Sequence, residues 1–343
     1  MKKLLQTIIV LMVSALSMNA HAKNIGVFYY DSQNAFFEGF DYTLSQMTKG
    51  QSYKITVFDG KSDSKIQMKQ IKENFSLGSD AIVNLVEIKD ANETIDLASK
   101  VDAKVVFFNR IPDQSVINSY EKAWYVGSDS ADSGRCQYQM ILDYLMMHPE
   151  IDKNKNGSID FILLQGEENH SDTKGRTATV IESLQSTGIP LNLVSMNYDN
   201  WSYDVAYQDV ENQIRHKGIN NIEMIIANND NMALGAVKAL NENGYNMPNI
   251  EDEERTNYIP VFGVDGIKDA FKAVDSGMLT GTTFCDYSAL VKVCLKIIAY
   301  AETNDADLEK QIWYKVKDRN VLIPYQNYAK FKNYNTYHSY YGQ

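Results

Sequence analysis

Short apolar segments alternate with helix-like segments along almost the whole chain. A first series comprises "NIGVFYY", "YKITVFDG", "SDAIVNLV", "AKVVFFNR" and "AWYVGSD"; after a polar loop at 151–160, a second comprises "IDFILLQG", "LNLVSMNYD", "IEMIIANND", "IPVFGVDG" and "GTTFCDY". Apolar strands that alternate with helices are typical of parallel sheets that are covered by helices on both faces. The sequence therefore predicts an α/β fold with two doubly wound, parallel-sheet lobes. No low-complexity linker separates the two series, so we expect short crossings between the lobes to act as a hinge.

The N-terminus has the three-part pattern of a secretory signal peptide. Two lysines precede an apolar run that ends in the A-x-A motif of residues 20–22, so we expect cleavage after Ala22. The run is short for a membrane anchor, which is the alternative for such a segment. The mature chain, starting at Lys23, is then expected outside the cytoplasm.

The charge and the cysteine count argue against several classes of protein. The formal net charge is −11, and removal of Lys2 and Lys3 with the signal peptide changes it to −13. An acidic surface argues against nucleic acid as a partner. The three cysteines, Cys136, Cys285 and Cys294, are too few and too odd in number for a disulfide framework. We expect free thiols, with one disulfide pair as the alternative.

Polar residues follow four of the strand-like segments. Asn109 lies in "FFNR", His170 and Asp172 in "LLQGEENHSD", Asn229 in "IANND" and Asp265 in "FGVDG". Ligands of open α/β sheets bind beyond the carboxyl ends of the strands, so these residues are expected to face one crevice. Each could instead be a helix N-cap or a turn residue, since Asn and Asp favour both places. Their recurrence at equivalent strand ends favours the crevice.

These residue types suit a neutral polyhydroxyl ligand. Arg176 lies four residues after Asp172, on the same helix face, and with an asparagine they form a planar, bidentate hydrogen-bonding set. Phe36 follows the first strand, and Trp201 follows a strand-like run in "NYDNWSYD". Aromatic rings at such places could stack on the C–H faces of a sugar, and core packing is the alternative for both.

An enzyme is the competing interpretation of the crevice. Asp172 and Asp265 could form a carboxylate pair of the kind that glycosidases use, and His170 could be a general base. The sequence has no G-x-S-x-G and no H-E-x-x-H motif, and no nucleophile stands beside an orienting partner. We therefore expect a binding protein, with a secreted carbohydrate-active enzyme as the alternative.

The motifs, in their order and spacing, resemble a known family. The runs "VVFFNR", "SYEKAWYVGSDSADSG", "DKNKNGSIDFILLQGEENHSDTKGRT", "IEMIIANNDNMALGAVKAL" and "IPVFGVDG" are similar to those of the periplasmic D-galactose/D-glucose-binding proteins, which have the type I periplasmic binding protein fold. The resemblance covers most of residues 24–300. It implies an N-terminal lobe of residues 23–128 and about 286–325, and a C-terminal lobe of residues 129–285 and about 326–343.

The sugar contacts of that family carry over position by position. The resemblance implies a monosaccharide, with glucose or galactose first, that stacks between one ring from each lobe. The implied hydrogen-bonding residues are Asn109, His170, Asp172, Arg176, Asn229 and Asp265, and the stacking residues are Phe36 and Trp201. Asn34 replaces a family aspartate that contacts the sugar 4-hydroxyl, so a charge-assisted bond is lost there. Cys285 replaces an asparagine, with Asp286 beside it as a candidate hinge-side residue.

The resemblance also implies how the protein works. A sugar would bind between open lobes, hinge closure would bury it, and the closed form would deliver it to an ABC-type permease and to a chemoreceptor. The protein would be a periplasmic monomer. A sugar sensor for a membrane signalling receptor and a transcription-regulator core are alternatives with the same fold. The signal peptide and the missing helix-turn-helix region argue against the regulator.

The loop between the two series carries most of a calcium-binding pattern. In "DKNKNGSID", oxygen-bearing residues recur at alternate positions around Gly157, which stands where the pattern needs a sharp turn. Leu163 stands where the pattern needs its final glutamate, so the sequence does not predict a helix–loop–helix calcium hand. A turn with Asn-Gly chemistry is the alternative.

In the resembled family the missing glutamate comes from a distant strand. The matching residue here is Glu223 in "NIEMII", and a glutamate in an apolar strand is unfavourable unless it is paired or metal-bound. The resemblance therefore implies one structural Ca²⁺ in the C-terminal lobe, away from the sugar. Its implied ligands are Asp152, Asn154, Asn156, Ser158, Asp160 and Glu223.

Overall fold

The computed structural model of the chain describes residues 23–249, 257–300 and 305–334. The expected signal peptide, residues 1–22, lies outside the described residues, as do the last residues of the expected C-terminal lobe, 335–343. The strands are β1 (Lys23–Tyr29), β2 (Tyr53–Asp59), β3 (Asp80–Val83), β4 (Val105–Phe108), β5 (Ala123–Gly127), β6 (Ile159–Gln165), β7 (Leu191–Tyr198), β8 (Met224–Ala227), β9 (Val261–Asp265), β10 (Gly281–Cys285), β11 (Val316–Lys317), β12 (Asn320–Leu322) and β13 (Tyr325–Ala329). The α-helices are α1 (Ala35–Thr48), α2 (Ser64–Ser76), α3 (Ala91–Lys100), α4 (Gln114–Asn118), α5 (Ser130–Met147), α6 (Ser171–Gln185), α7 (Tyr203–Lys217), α8 (Asp230–Glu242), α9 (Lys268–Asp275), α10 (Tyr287–Tyr300) and α11 (Asp305–Ile312).

Two largely parallel sheets form the two lobes. The first lobe has the strand order β11-β12-β5-β4-β3-β1-β2, and the second has the order β13-β10-β9-β8-β6-β7. In both, the five parallel strands follow the doubly wound order 2-1-3-4-5, counted from the first strand of the lobe. Antiparallel pairs occur at one edge of each sheet, β11 with β12 and β10 with β13. The predicted fold class, an α/β chain with two doubly wound lobes, is confirmed.

Each sheet has an apolar core on both of its faces. Along β1, Ile25, Val27 and Tyr29 pack in one core with α1 and α10, whereas Phe28 packs in the other with α2 and α3. In the same way, alternate residues of β6 pack in the two different cores of the second lobe. Burial on both faces explains why the central strands are continuously apolar.

The chain crosses between the lobes three times, from β5 to α5, from β10 to α10 and from β12 to β13. The first two crossings touch, because Ser128 Oγ lies 2.9 Å from Cys285 Sγ. The third is held by the Tyr325 N–H, which donates to the Asp132 carboxylate at 3.1 Å. The lobes are therefore joined by short crossings and not by a flexible tether.

The apolar pattern predicted no strand after residue 285, but the residues described there, 286–300 and 305–334, include three. β13 reads "YQNYA" and contains no apolar run, yet it pairs with β10 from Gly281↔Ala329 to Cys285↔Tyr325. An edge strand of this kind is stabilised by its partner and carries little signal of its own. The helix predicted over about 34–47 is α1, which begins at Ala35 because Asn34 is its N-cap.

The three cysteines are free thiols. Cys285 and Cys294 are buried, and Cys136 is half-buried. Burial raises the pKa of the Cys136 thiol to about 11, so it stays protonated at neutral pH.

Over the ranges that the structure describes, no helix combines the length and the apolar character needed to cross a bilayer.

Helices α7 and α8 approach each other closely at Gly235. A Cβ on Gly235 would lie 2.3 Å from the Tyr203 carbonyl oxygen and 3.0 Å from the Tyr207 nitrogen. Alanine is favoured over glycine in helices by about 1 kcal/mol, yet we expect Gly235→Ala to destabilise the protein by about 1–3 kcal/mol because the backbones must separate. Thermal unfolding tests this, and an unchanged or higher Tm would contradict the close approach.

Candidate functional site

A cavity of about 40 Å³ lies between the carboxyl ends of the two sheets. The cavity is lined by Tyr30, Asn34, Phe36, Phe37, Asn109, Arg110, His170, Asp172, Arg176, Trp201, Asn229 and Asp265. The structure thus brings together every residue that the sequence analysis named for sugar contact, and it adds Tyr30, Phe37 and Arg110.

Three of the lining residues are also helix N-caps. Asn34 Oδ1 accepts a hydrogen bond from Phe36 N at 3.0 Å, at the start of α1. His170 Nδ1 and Asn229 Oδ1 accept from backbone N–H groups in the first turns of α6 and α8. Each of these residues therefore caps a helix and also lines the cavity, because strand ends and helix starts meet at this edge of each sheet.

Strained backbone conformations cluster at the cavity. Asn109, Trp201 and Asp265 have φ angles of 62°, 63° and 116°, in a region that side-chain-bearing residues rarely adopt. Such conformations cost about 1–3 kcal/mol each and concentrate at functional sites. In each case the strained residue directs its side chain into the cavity wall.

Arg176 is the most fully hydrogen-bonded group of the site. Its Nη1 donates to the Asn228 carbonyl oxygen at 2.6 Å and to Asp265 Oδ1 at 3.0 Å. Its Nη2 donates to the Tyr325 hydroxyl at 3.1 Å and to Asp172 Oδ2 at 3.4 Å. The guanidinium is therefore held on two sides and has little freedom to turn.

The charges of the site are shifted by burial and by one another. Burial raises the pKa of Asp265 to about 6, although the Arg176 guanidinium acts in the opposite direction. Burial alone would lower the pKa of Arg176, but Tyr325, Asp265 and Asp172 raise it, and the net direction is upward. Arg176 is therefore always charged, and the Asp265 carboxylate beside it is an acceptor at neutral pH.

Two aromatic rings reach the cavity from opposite lobes. Trp201 lies against Gly166, where a Cβ would be 2.1 Å from the indole ring, and its edge faces His170 at 5.2 Å. Phe36 lies edge-on to Tyr287 at 5.2 Å. Both rings are partly buried and fixed by their neighbours, as the predicted stacking role requires.

Arg110 bridges the two lobes beside the cavity. Its Nη2 lies 3.3 Å from both carboxylate oxygens of Glu167, and its Nη1 donates to the Val86 carbonyl oxygen at 2.9 Å. The guanidinium also lies over the Tyr30 ring, 4.3 Å from its centroid. Tyr30 directly follows β1, and Arg110 directly follows Asn109. Both residues therefore lie at strand ends, although the sequence pattern did not predict them as site residues.

Two buried N–H groups at the cavity have no hydrogen-bond partner in the described part of the chain, the Nε atoms of Arg110 and Arg176. A buried donor without a partner is unfavourable by about 1–3 kcal/mol. Ligand oxygens or water would satisfy these donors, and a hydroxyl-rich molecule offers several such oxygens.

The residues of the predicted calcium loop meet at the opposite end of the second sheet. Glu223, buried just before β8, accepts from Lys153 N at 2.6 Å, Asn154 N at 3.1 Å and Asp160 N at 3.0 Å. The Asp152 carboxylate accepts from two backbone N–H groups of the same loop. Glu223 therefore reaches the loop, and hydrogen bonds offset its burial.

The loop's interior is closed by amide groups. Asn154 Nδ2 and Asn156 Nδ2 each donate to Asp160 Oδ2 at 2.8 Å, and Asn192 Nδ2 donates to Asp160 Oδ1 at 2.6 Å. Among the described residues, no group of three or more His, Cys, Asp or Glu side chains is arranged to hold a metal. The donor set, carboxylates, amide oxygens and the Ser158 carbonyl, nevertheless has the hard oxygen chemistry that calcium prefers.

Comparison with known proteins now adds to the geometry. Residues 25–305 match the family described as "Periplasmic binding protein domain". The chain belongs to this family. The match places the protein in the periplasm and makes it a binding protein and not an enzyme. The resemblance inferred from the motifs is confirmed.

Individual relatives and solved structures agree with this assignment. The D-galactose/methyl-galactoside binding periplasmic protein MglB of Haemophilus influenzae is 34% identical over 273 residues, 79% of this chain and 78% of that protein. A periplasmic solute binding protein from Actinobacillus succinogenes with bound D-allose has a TM-score of 0.71 at 18% identity, covering 90% and 98% of the two chains. An ABC transporter solute binding protein from Bacillus halodurans with bound myo-inositol has a TM-score of 0.67 at 22% identity, covering 91% and 96% of the two chains. At these identities the two structures support the fold alone.

His170 makes the stability of the protein depend on pH. Burial lowers the pKa of its imidazole below the ordinary 6.5, so the folded state stays neutral while the unfolded state takes up a proton as the pH falls. The unfolded state then binds more protons, and stability decreases below about pH 6.5. His170→Asn keeps an N-cap side chain and removes this titration.

We therefore expect the Tm of the wild type to fall more between pH 7.5 and 5.5 than the Tm of the His170→Asn variant. Differential scanning calorimetry at both pH values measures the two changes. Equal decreases in the two proteins would show that the imidazole is not held neutral.

Proposed function

We propose that this chain is the monosaccharide-binding component of a periplasmic ABC-type import system, with glucose or galactose as its ligand. The observation that carries the proposal is the cavity itself. It would surround a ligand with the fixed guanidinium of Arg176, two carboxylates and three amides, and it places an aromatic ring from each lobe beside them. Such a site suits a ring that carries hydroxyls at its edge and C–H groups on its faces.

The relatives support the choice of ligand class. The H. influenzae relative is named for D-galactose and methyl-galactoside, and the structural neighbours hold D-allose and myo-inositol. All are polyhydroxyl rings of similar size. Glucose and galactose are the first candidates because the resemblance extends over the motifs that carry the contact residues.

The proposed mechanism follows from the position of the cavity. A ligand that touches both lobes stabilises the closed arrangement relative to an open one, and the shift equals its difference in affinity for the two states. The closed lobes would then present a joint surface to the membrane permease. Delivery to a chemoreceptor would use the same closed state and is part of the proposal.

A thermal-shift screen over monosaccharides tests the ligand. At a sugar concentration a hundredfold above Kd, binding stabilises the folded state by about 2.7 kcal/mol, which raises Tm by several degrees. Glucose or galactose is expected to give the largest increase. If no monosaccharide or polyol changes the Tm, the proposed function is wrong.

Truncation of one stacking ring or one acceptor should abolish tight binding and leave the fold intact. Trp201→Ala removes a ring from one wall, and Asp265→Ala removes an acceptor and leaves the buried charge of Arg176 less well paired. We expect each variant to lose about 100-fold or more in affinity by titration calorimetry, with an unchanged circular dichroism spectrum. Undiminished affinity in both variants would contradict the site.

We propose, in addition, that the loop at 152–160 binds one structural Ca²⁺ together with Glu223. The carboxylates of Asp152, Asp160 and Glu223 accept hydrogen bonds within one loop cluster, and the hard oxygen donors of this loop support the proposal. A bound ion would replace the amide donors of Asn154 and Asn156 at Asp160 and draw in their Oδ1 atoms. It would fasten the loop to β8 and take no part in sugar chemistry.

Calcium should therefore change stability through Glu223. With calcium a hundredfold above Kd, the Tm of the wild type is expected to exceed its value in chelator by on the order of 5 °C. Glu223→Gln keeps the side-chain size and should remove most of this difference. A wild-type Tm that is the same in calcium and in chelator would exclude the ion.

A further inference from the structure

Asn34 is held by two hydrogen bonds within the protein. Its Oδ1 accepts from Phe36 N at 3.0 Å as the N-cap of α1, and its Nδ2 donates to the Tyr30 hydroxyl oxygen at 2.6 Å. Together these bonds set the orientation of the amide. The side chain is therefore directed toward Tyr30 as well as toward the cavity that both residues line.

The hydroxyl of Tyr30 can donate one more hydrogen bond. Its oxygen accepts from Asn34, and within the described residues its own O–H group donates to no protein atom. Burial raises the pKa of Tyr30 to about 12, against the opposing effect of the Arg110 guanidinium, so the phenol keeps its proton at neutral pH. A protonated hydroxyl that already accepts one hydrogen bond is best satisfied by donating the next.

The ring that carries this hydroxyl is fixed in place. The Arg110 guanidinium lies over it at 4.3 Å, and Phe37 packs edge-to-face with it, with ring centroids 5.5 Å apart. Only partial exposure remains. A donor whose orientation is set before binding loses little conformational entropy when a ligand arrives.

We infer that Tyr30 presents a hydrogen-bond donor to the ligand, and that Asn34 is a positioning residue that sets the direction of this bond. The chain of donors runs from the Asn34 amide to the Tyr30 oxygen, and from the Tyr30 hydroxyl to an acceptor oxygen of the ligand. The inference rests on the proposed function and names a specificity-determining residue within it.

The identity of residue 34 then decides whether this part of the cavity wall offers the ligand a hydrogen-bond donor or an acceptor. A carboxylate in the place of the amide has no N–H to donate and would accept a hydrogen bond from the Tyr30 hydroxyl. The wall would change from a donor to an acceptor. With asparagine present, the wall favours a sugar or polyol whose oxygen at this point can accept.

A first experiment tests Tyr30 with titration calorimetry on the Tyr30→Phe variant. The probes are the sugar that binds best to the wild type and a set of its analogues, each lacking one hydroxyl. We expect a loss of roughly 3- to 10-fold for the parent sugar, the value of one neutral hydrogen bond, and no further loss for the one analogue that lacks the contacted oxygen. Equal affinities of wild type and variant for the parent sugar would overturn the inference.

The analogue series separates a direct contact from a structural role. If Tyr30→Phe lowers the affinity for every analogue by the same factor, the hydroxyl affects only the shape of the site, and the inference is wrong. If the wild type binds none of the sugars, both the inference and the proposed function are overturned. A wild type that binds, beside a Tyr30→Phe variant of unchanged affinity, overturns the inference alone.

A second experiment uses Asn34→Asp, alone and combined with Tyr30→Phe. Aspartate caps a helix as well as asparagine does, so α1 is expected to stay intact. The single Asn34→Asp variant should bind the parent sugar several-fold more weakly, and the effect should shrink in the Tyr30→Phe background because the reversed hydrogen bond no longer exists. An affinity that is kept or raised by Asn34→Asp in both backgrounds would show that residue 34 contacts the sugar directly.

Discussion

A guanidinium that is buried away from water must have its charge and its N–H groups satisfied by the protein. Arg176, only 3% exposed, pairs its charge and both of its Nη groups with two carboxylates, a backbone carbonyl and a tyrosine hydroxyl, while its Nε–H has no partner among the described residues. These partners come from α6, from the ends of β8 and β9, and from the start of β13. The need to pair one buried charge therefore fixes the relative positions of four elements, and the cavity wall of the second lobe is the result.

The same group connects the site to the crossings between the lobes. Tyr325, whose hydroxyl accepts from Arg176, is the first residue after the third crossing, and its backbone pairs with Cys285 at the second. Cys285 in turn touches Ser128 at the first crossing. Hydrogen bonds and backbone pairing therefore join the Arg176 group to all three crossings between the lobes. The Arg110–Glu167 ion pair is a second connection between the lobes, beside the cavity.

The sequence predicted the fold and most of the cavity wall because both follow from one pattern. Apolar strands of this spacing make parallel sheets, and the position of Asn109 or Asp265 at a strand end depends only on that topology. Tyr30 was overlooked because a tyrosine directly after "NIGVFY" looks like one more strand residue. Tyr325 could not be found at all, since it lies 149 residues from Arg176 and stands on a polar edge strand. For the loop at 152–160, spacing and resemblance together predicted that Glu223 reaches the loop, but the direction of the two amide groups is not determined by spacing.

The central claim is that a monosaccharide binds between the two lobes, stacked between their rings and hydrogen-bonded around Arg176. A crystal structure of the protein with glucose or galactose tests it most directly. The account predicts one sugar between Phe36 and Trp201, with oxygens within hydrogen-bonding distance of Arg176, Asp172 and Asp265 and with contacts to both lobes. A sugar bound outside this cavity, or one that touches a single lobe, would contradict it.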